Sequence, residues 1–254
     1  MELACQSLSA DILSHFLKSQ RKRFLVAIAG PPGSGKTTIA SKVVYLLNRS
    51  HANRMADAVL RRPSDSPFAI CLSIDGFHYR RSVLDTLPNR EEAYLRRGAP
   101  WTFDVGAILT FIWRLREWAD CGGLNSSSVT SQEVEPILAP SFDHAAEDPV
   151  PDSVHIPENA SIVVLEGNYL LLGEPYWRGI PSLVDLRVFV NADLDVMRRR
   201  LANRHIGAGI ESDLADAYGR VNRNDMVNAI LVLGKVCEGV DIFVESLEDS
   251  DAII

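Results

Sequence analysis

Residues Gly30 to Thr38 read GPPGSGKTT, with three glycines crowded ahead of one lysine and two threonines. Glycines let consecutive backbone N–H groups turn inward around phosphate oxygens. A lysine at this spacing reaches the terminal phosphates, and the next hydroxyl suits Mg²⁺. Gly30, Gly35, Lys36 and Thr37 satisfy G-x-x-x-x-G-K-[ST], and Pro31, Pro32, Gly33, Ser34 and Thr38 complete the loop. Such a loop grips a nucleoside triphosphate, so ATP and Mg²⁺ are the expected cofactors. Whether the phosphate drives motion, sets a switch or is given away depends on the remaining polar residues.

Two carboxylates stand at the ends of apolar runs. Asp75 lies in SIDGFHYR and Glu166 in VVLEGNYLLL. Asp75 can take a proton from an attacking hydroxyl or help hold Mg²⁺; its plainer alternative is to cap a turn before Gly76. His78 follows in the same segment as a candidate substrate contact. Glu166 has the position of a carboxylate that orients magnesium, against the alternative of a structural acid. Tyr169 follows it, either touching substrate or packing. Farther on, DLDVMRRRLANRHIGAG reads as a helix. Arg200 and Arg204 share one face of it, and Leu194, Met197, Leu201 and His205 form its apolar stripe. Arg204 can close over a transferring phosphoryl group; surface pairing with Asp193 or Asp195 is the alternative for these arginines. Asn224 is either a helix N-cap or a nucleotide contact, and His144 is either a substrate contact or an exposed neighbour of Asp143.

The elements that must position these groups are legible from apolar runs. RFLVAIAG, FAICLSIDG, ASIVVLEG, LVDLRVFVNA and VDIFVES predict five buried strands. Helical patterns separate most of them, which predicts an α/β fold with a parallel sheet flanked by helices and right-handed crossovers. Residues 1–22 predict an amphipathic leading helix, 193–213 a short helical lid, and the Gly- and Ser-rich stretch 121–136 a mobile loop. One domain spanning 1–254 accommodates all of this.

The chain has 254 residues, 46% hydrophobic and 23% charged, with 26 Lys and Arg against 33 Asp and Glu, a net charge of −7. That balance argues against a general nucleic-acid binder. No run has the length of a membrane span. The four scattered cysteines predict reduced thiols, and with no signal-peptide pattern the expected setting is cytoplasmic. A homodimer is compatible with this composition. No N-K-x-D base-reading motif or serine-glycine-glycine signature is present, which argues against GTPase switches and ABC-type ATPases. The class that remains hands a phosphate to a small-molecule hydroxyl; a P-loop NTPase that regulates a partner protein is the alternative.

In order, GPPGSGKTT, IDGFHYR, RRGAPWTFD, PSFDHAAED, VVLEGNYLLL and RRRLANRH resemble the uridine kinase, phosphoribulokinase and type I pantothenate kinase group of P-loop kinases, over most of residues 24–232. The resemblance implies that Asp75 is the catalytic aspartate. It places Asp104 at the end of a substrate-side motif and Arg204 on the lid. It puts Phe142, Asp143 and His144 in the acceptor pocket and Asn224 near the adenine. Uridine kinases carry a tyrosine where Phe142 stands and a histidine where Glu147 stands, which argues against uridine itself. The implied acceptor is nucleoside-like first, pantothenate-like or a sugar next.

Overall fold

The computed structural model describes residues 1–57, 66–121 and 136–247. In chain order it contains α1 (Glu2–Ser19), β1 (Phe24–Ala29), α2 (Lys36–Asp57), β2 (Ala69–Ser73), α3 (Arg81–Leu84), α4 (Arg90–Leu95), α5 (Val105–Cys121), β3 (Ile137–Asp143), β4 (Asp148–Ile156), β5 (Ile162–Gly167), β6 (Leu186–Asn191), α6 (Leu194–Gly207), α7 (Leu214–Arg223), α8 (Asp225–Gly234) and β7 (Ile242–Glu245). A 3₁₀ turn, Ile74–Phe77, continues β2.

All five expected strands form, and they make one parallel sheet in the order β2-β5-β1-β6-β7. Every residue of β1 and β5 is buried, because helices or the hairpin cover both faces. Unbroken apolar runs are the sequence form of such strands. On one face α1 and α2 pack Leu8, Ile12, Ile39 and Val43 against Val26, Ile28, Val164 and Val188. On the other, α5 packs Ile108, Ile112 and Leu115 against Leu25, Ala27, Val163 and Leu165. A third cluster joins α6, α7 and α8 through Met197, Leu201, Val221 and Met226. Glu166 therefore ends the strand between β1, which leads into the phosphate loop, and β2, which leads to Asp75.

The leading helix forms and ends at Ser19, where Gln20 turns left-handed at φ 55°. The lid helix forms behind an N-cap, Asp193, whose side chain accepts from the N–H groups of Asp195 and Val196. Leu194 is exposed, so the apolar stripe begins at Met197. Most of the loop expected at 121–136 falls outside the described residues. All four cysteines are free thiols. No helix among the described residues is long and apolar enough to cross a membrane.

The antiparallel hairpin of β3 and β4 has no counterpart in the sequence-based expectation. Its prolines, Pro140, Pro149 and Pro151, read as loop punctuation. In a two-stranded ribbon each strand is an edge, so a missing N–H is tolerated there, and the register breaks between Ala139 and Ser141, beside Pro140. The hairpin lies on the turn after β2 so closely that a Cβ on Gly76 would stand 2.4 Å from the Pro140 carbonyl oxygen. We predict that Gly76→Ala lowers stability by about 1–3 kcal/mol, the usual scale of overpacking, measured by denaturant unfolding. Unchanged stability would mean that the hairpin is not seated on this turn.

Candidate active site

The phosphate loop begins where β1 runs out of sheet. Gly30 passes under β6, where a Cβ would meet the Val190 carbonyl oxygen at 2.2 Å. Gly33 and Gly35 have φ of 78° and 87°, a left-handed backbone that side chains disfavour. The Ser34 N–H donates to the Pro31 oxygen at 3.2 Å, and α2 opens at Lys36. Arg200 fixes the loop from α6. Its Nη1 donates to the carbonyls of Gly33 (3.3 Å) and Ser34 (3.4 Å) and to Ser246 Oγ (3.1 Å), and its Nη2 to the Leu247 carbonyl. Sequence spacing assigned Arg200 to lid chemistry or surface pairing; the structure uses it to brace the loop against the chain after β7.

Charged groups converge where β1, β5 and β2 end. Register sets Glu166 beside Ile28 on one side and Ser73 on the other. Glu166 is 3% exposed and accepts from Thr37 Oγ1 at 3.0 Å. Burial raises its pKa against the opposing pull of Lys36, while the neighbouring charge of Asp75 raises it further. Burial lowers the Lys36 pKa; Glu166 and Asp75 oppose that shift, and Arg204, exposed on α6, adds to it. Lys36 thus feels the charges of Glu166, Asp75 and Arg204, and Glu166 feels those of Lys36 and Asp75. Ser73 is an addition to that set. Its hydroxyl bonds to Glu166 and accepts the Asp75 N–H at 3.3 Å, linking the two carboxylate residues. Its signal was its place at the strand end, two residues before Asp75. Thr37 and Glu166 offer hard oxygen donors, a set that suits Mg²⁺ completed by phosphate oxygens and water.

The surroundings of His78, beyond Asp75, are aromatic. His78 Nδ1 lies 2.8 Å from the Asp75 carbonyl oxygen. Only a donor satisfies that oxygen, so Nδ1 carries the hydrogen and the Nε2 of the neutral ring is an acceptor. Burial lowers the His78 pKa, Asp75 opposes, and the charges of Arg97 and His144 lower it further. Its ring centroid stands 3.9 Å from Phe103 and 5.1 Å from Phe142, and Phe142 is 5.2 Å from His144. The hairpin therefore delivers Phe142 and His144 to His78. Asp104 lines a cleft of about 230 Å³ beside His78 and Pro140. One of its oxygens is already engaged, accepting the Ala107 N–H at 2.9 Å at the start of α5.

The structure assigns places to three further residues. Tyr169 is fully buried, packed on Phe103 and Trp177, with its hydroxyl donating to the Gly98 oxygen at 2.5 Å. It anchors the core and is closed to substrate. Asn224 donates to the Arg97 carbonyl at 3.0 Å and makes no side-chain cap on α8. It stands at the N-cap position of α8 without a side-chain cap bond, and its amide instead ties α8 to the segment after α4. His205 is buried and its Nε2 meets Asp225 at 3.0 Å, as the apolar stripe implies, but the pair also pins the lid helix to α8.

No protein-family model matches the chain. It is 32% identical over 224 residues to "Putative uridine kinase C227.14" of Schizosaccharomyces pombe, covering 88% of this chain and 82% of the relative. It is 39% identical over 156 residues to "ATP-dependent kinase-like protein notR'" of Aspergillus versicolor, covering 61% and 84%. Its fold is that of the crystal structure of YFH7 from Saccharomyces cerevisiae, with a TM-score of 0.82, 24% identity and coverage of 96% and 99%.

Tyr169→Phe leaves the Gly98 carbonyl without its partner. The expected result is a stability loss of about 1–3 kcal/mol by denaturant unfolding, with turnover nearly unchanged. A rise in acceptor KM at unchanged stability would return Tyr169 to the substrate site.

Proposed function

The chain belongs to the uridine kinase-like family of P-loop kinases, and from that premise we propose that it transfers the γ-phosphate of ATP, held with Mg²⁺, to a hydroxyl of a small metabolite. The observation that carries this reading is the meeting of Asp75 with Lys36 and Glu166 at adjoining strand ends. A carboxylate beside the phosphate grip is what an acceptor hydroxyl needs, and a mere turn cap has no use for that place.

In this mechanism the phosphate loop binds the phosphate chain through its N–H groups, with the positive end of α2 behind it. Lys36 neutralises charge on the terminal phosphates. Thr37 and Glu166 would hold Mg²⁺, which would supply further neutralisation of the phosphate oxygens. Asp75 accepts the proton of the attacking hydroxyl. Arg204 reaches across from the lid and stabilises charge that spreads over the phosphoryl group as it separates. His78 Nε2 accepts a hydrogen bond from the acceptor and so orients it. Phe142 and His144 form the wall that excludes water.

A nucleoside-like acceptor is favoured by the aromatic wall and by the name of the S. pombe relative; a pantothenate-like or sugar acceptor comes next. Glu147, at the hairpin turn, is engaged with Arg81 at 3.3 Å, which leaves it poorly placed to read a nucleoside. The partner in this reading is a small molecule, with no role for nucleic acid or membrane.

Asp75→Asn keeps size and removes the basic oxygen. It should still bind Mg-ATP yet transfer phosphate roughly 10²-fold or more slowly, with background hydrolysis falling less. Unchanged transfer refutes the assignment. Joint loss of ATP affinity and hydrolysis, restored by excess Mg²⁺, makes Asp75 a metal ligand instead.

The lowered His78 pKa sets a pH dependence. The neutral ring is the accepting form, and burial keeps it neutral below the ordinary histidine value of about 6.5. Acceptor kcat/KM should therefore hold level as pH falls through that value and decline only lower. A decline centred above it, absent in His78→Gln, would contradict the role.

A further inference from the structure

We propose that Arg97 determines acceptor specificity and that the acceptor carries an oxyanion, a carboxylate or a phosphate, in addition to the hydroxyl that is phosphorylated. This rests on the kinase reading above and, among the acceptors named there, selects one that bears an anion over a neutral nucleoside.

Arg97 is 15% exposed, and its Nη2 has two partners, the Tyr79 carbonyl at 3.1 Å and Asp148 Oδ1 at 3.3 Å. Its Nε and Nη1 are buried and have none. Unmet buried N–H groups are uncommon, and each costs free energy until a partner arrives. The guanidinium lies 5.5 Å from the centroid of Phe142, the ring that also neighbours His78 and His144. Its charge is felt at His78, so it stands on the acceptor side of Asp75.

Asp148 does not use up this cation. It is one-third exposed, and the same oxygen accepts the Arg81 N–H at 2.8 Å. The backbone beneath is held rigid, since Asn224 binds the Arg97 carbonyl and Tyr169 binds the next one. The N–H groups themselves are closed to solvent, so the side chain must turn on this held backbone to present them to a ligand. An oxyanion would meet them with charge-assisted bonds, whereas a neutral acceptor would shut them in unpaired. That asymmetry gives strong discrimination.

The test offers γ-32P-labelled ATP and matched acceptors to the full chain: glycerol with glycerate and glycerol 3-phosphate, and ribose with ribonate and ribose 5-phosphate. Label should enter an anionic member with kcat/KM on the order of 10²-fold above its neutral partner, and the carboxylate and phosphate arms tell which anion is read. Arg97→Gln should abolish the preference chiefly through KM, Arg97→Lys should keep part of it, and Asp148→Asn should keep it. A preference for neutral members, its persistence in Arg97→Gln, or equal loss in Asp148→Asn overturns the proposal. If no member is phosphorylated, the kinase reading is what suffers, and a binding measurement decides this one. With Mg²⁺ and a non-hydrolysable ATP analogue filling the phosphate loop, the Arg97 Nε–H resonance should shift with glycerate or glycerol 3-phosphate and not with glycerol. A resonance that neither anion moves overturns the proposal, and this measurement holds even if Arg97→Gln fails to fold.

Discussion

Lys36, at the start of α2, and the buried Glu166, at the end of β5, act on each other's charge, and the strand ends around them gather the other charged groups. Burial weakens the charged form of each, and each supports the charge of the other. Such a pair is costly alone. It is tolerable because Thr37 and Ser73 bond to the glutamate and Asp75 supports the lysine. The arrangement is also unfinished, since two cations and two carboxylates gathered at one edge suit the arrival of a polyanion with its metal. The burial of Glu166 strengthens the charges that act on it.

The parallel sheet is what makes the convergence possible. Because β5 lies between β1 and β2, the phosphate loop, Glu166 and Asp75 leave neighbouring strands in the same direction. Elements outside the sheet then close the site. Arg200 braces the loop, and the hairpin lays Phe142 and His144 beside His78. The pair His205–Asp225 and the contacts of Asn224 join α6 and α8 to the segment after α4. The helix that carries Arg200 and Arg204 is therefore tied, through α8, to the segment that carries Arg97.

The sequence announced the sheet because a strand buried on both faces must be apolar throughout, and it announced Lys36, Thr37, Asp75 and Glu166 because strand ends and glycine spacing are local signals. It was silent where position depends on contacts distant in the chain. The prolines of β3 and β4 disguised a hairpin that has no inner strand to forbid them. Tyr169 follows Glu166 so closely that it read as part of the site, yet the backbone turns its side chain into the core. Arg200 and Arg204 have the same local spacing, and only the approach of Ser246 and the phosphate loop separates a brace from a lid. Asn224 and Arg97 meet across 127 residues, a distance that no periodicity spans.

The central claim is that the phosphate is given away. Its most direct measurement follows γ-32P-labelled ATP incubated with the protein, Mg²⁺ and a small-molecule metabolite extract, with and without the extract. The account predicts that label appears in an organic phosphate only when the extract is present, and that inorganic phosphate forms slowly without it. Label found solely as inorganic phosphate, at a rate indifferent to the extract and responsive only to added protein partners, would contradict it.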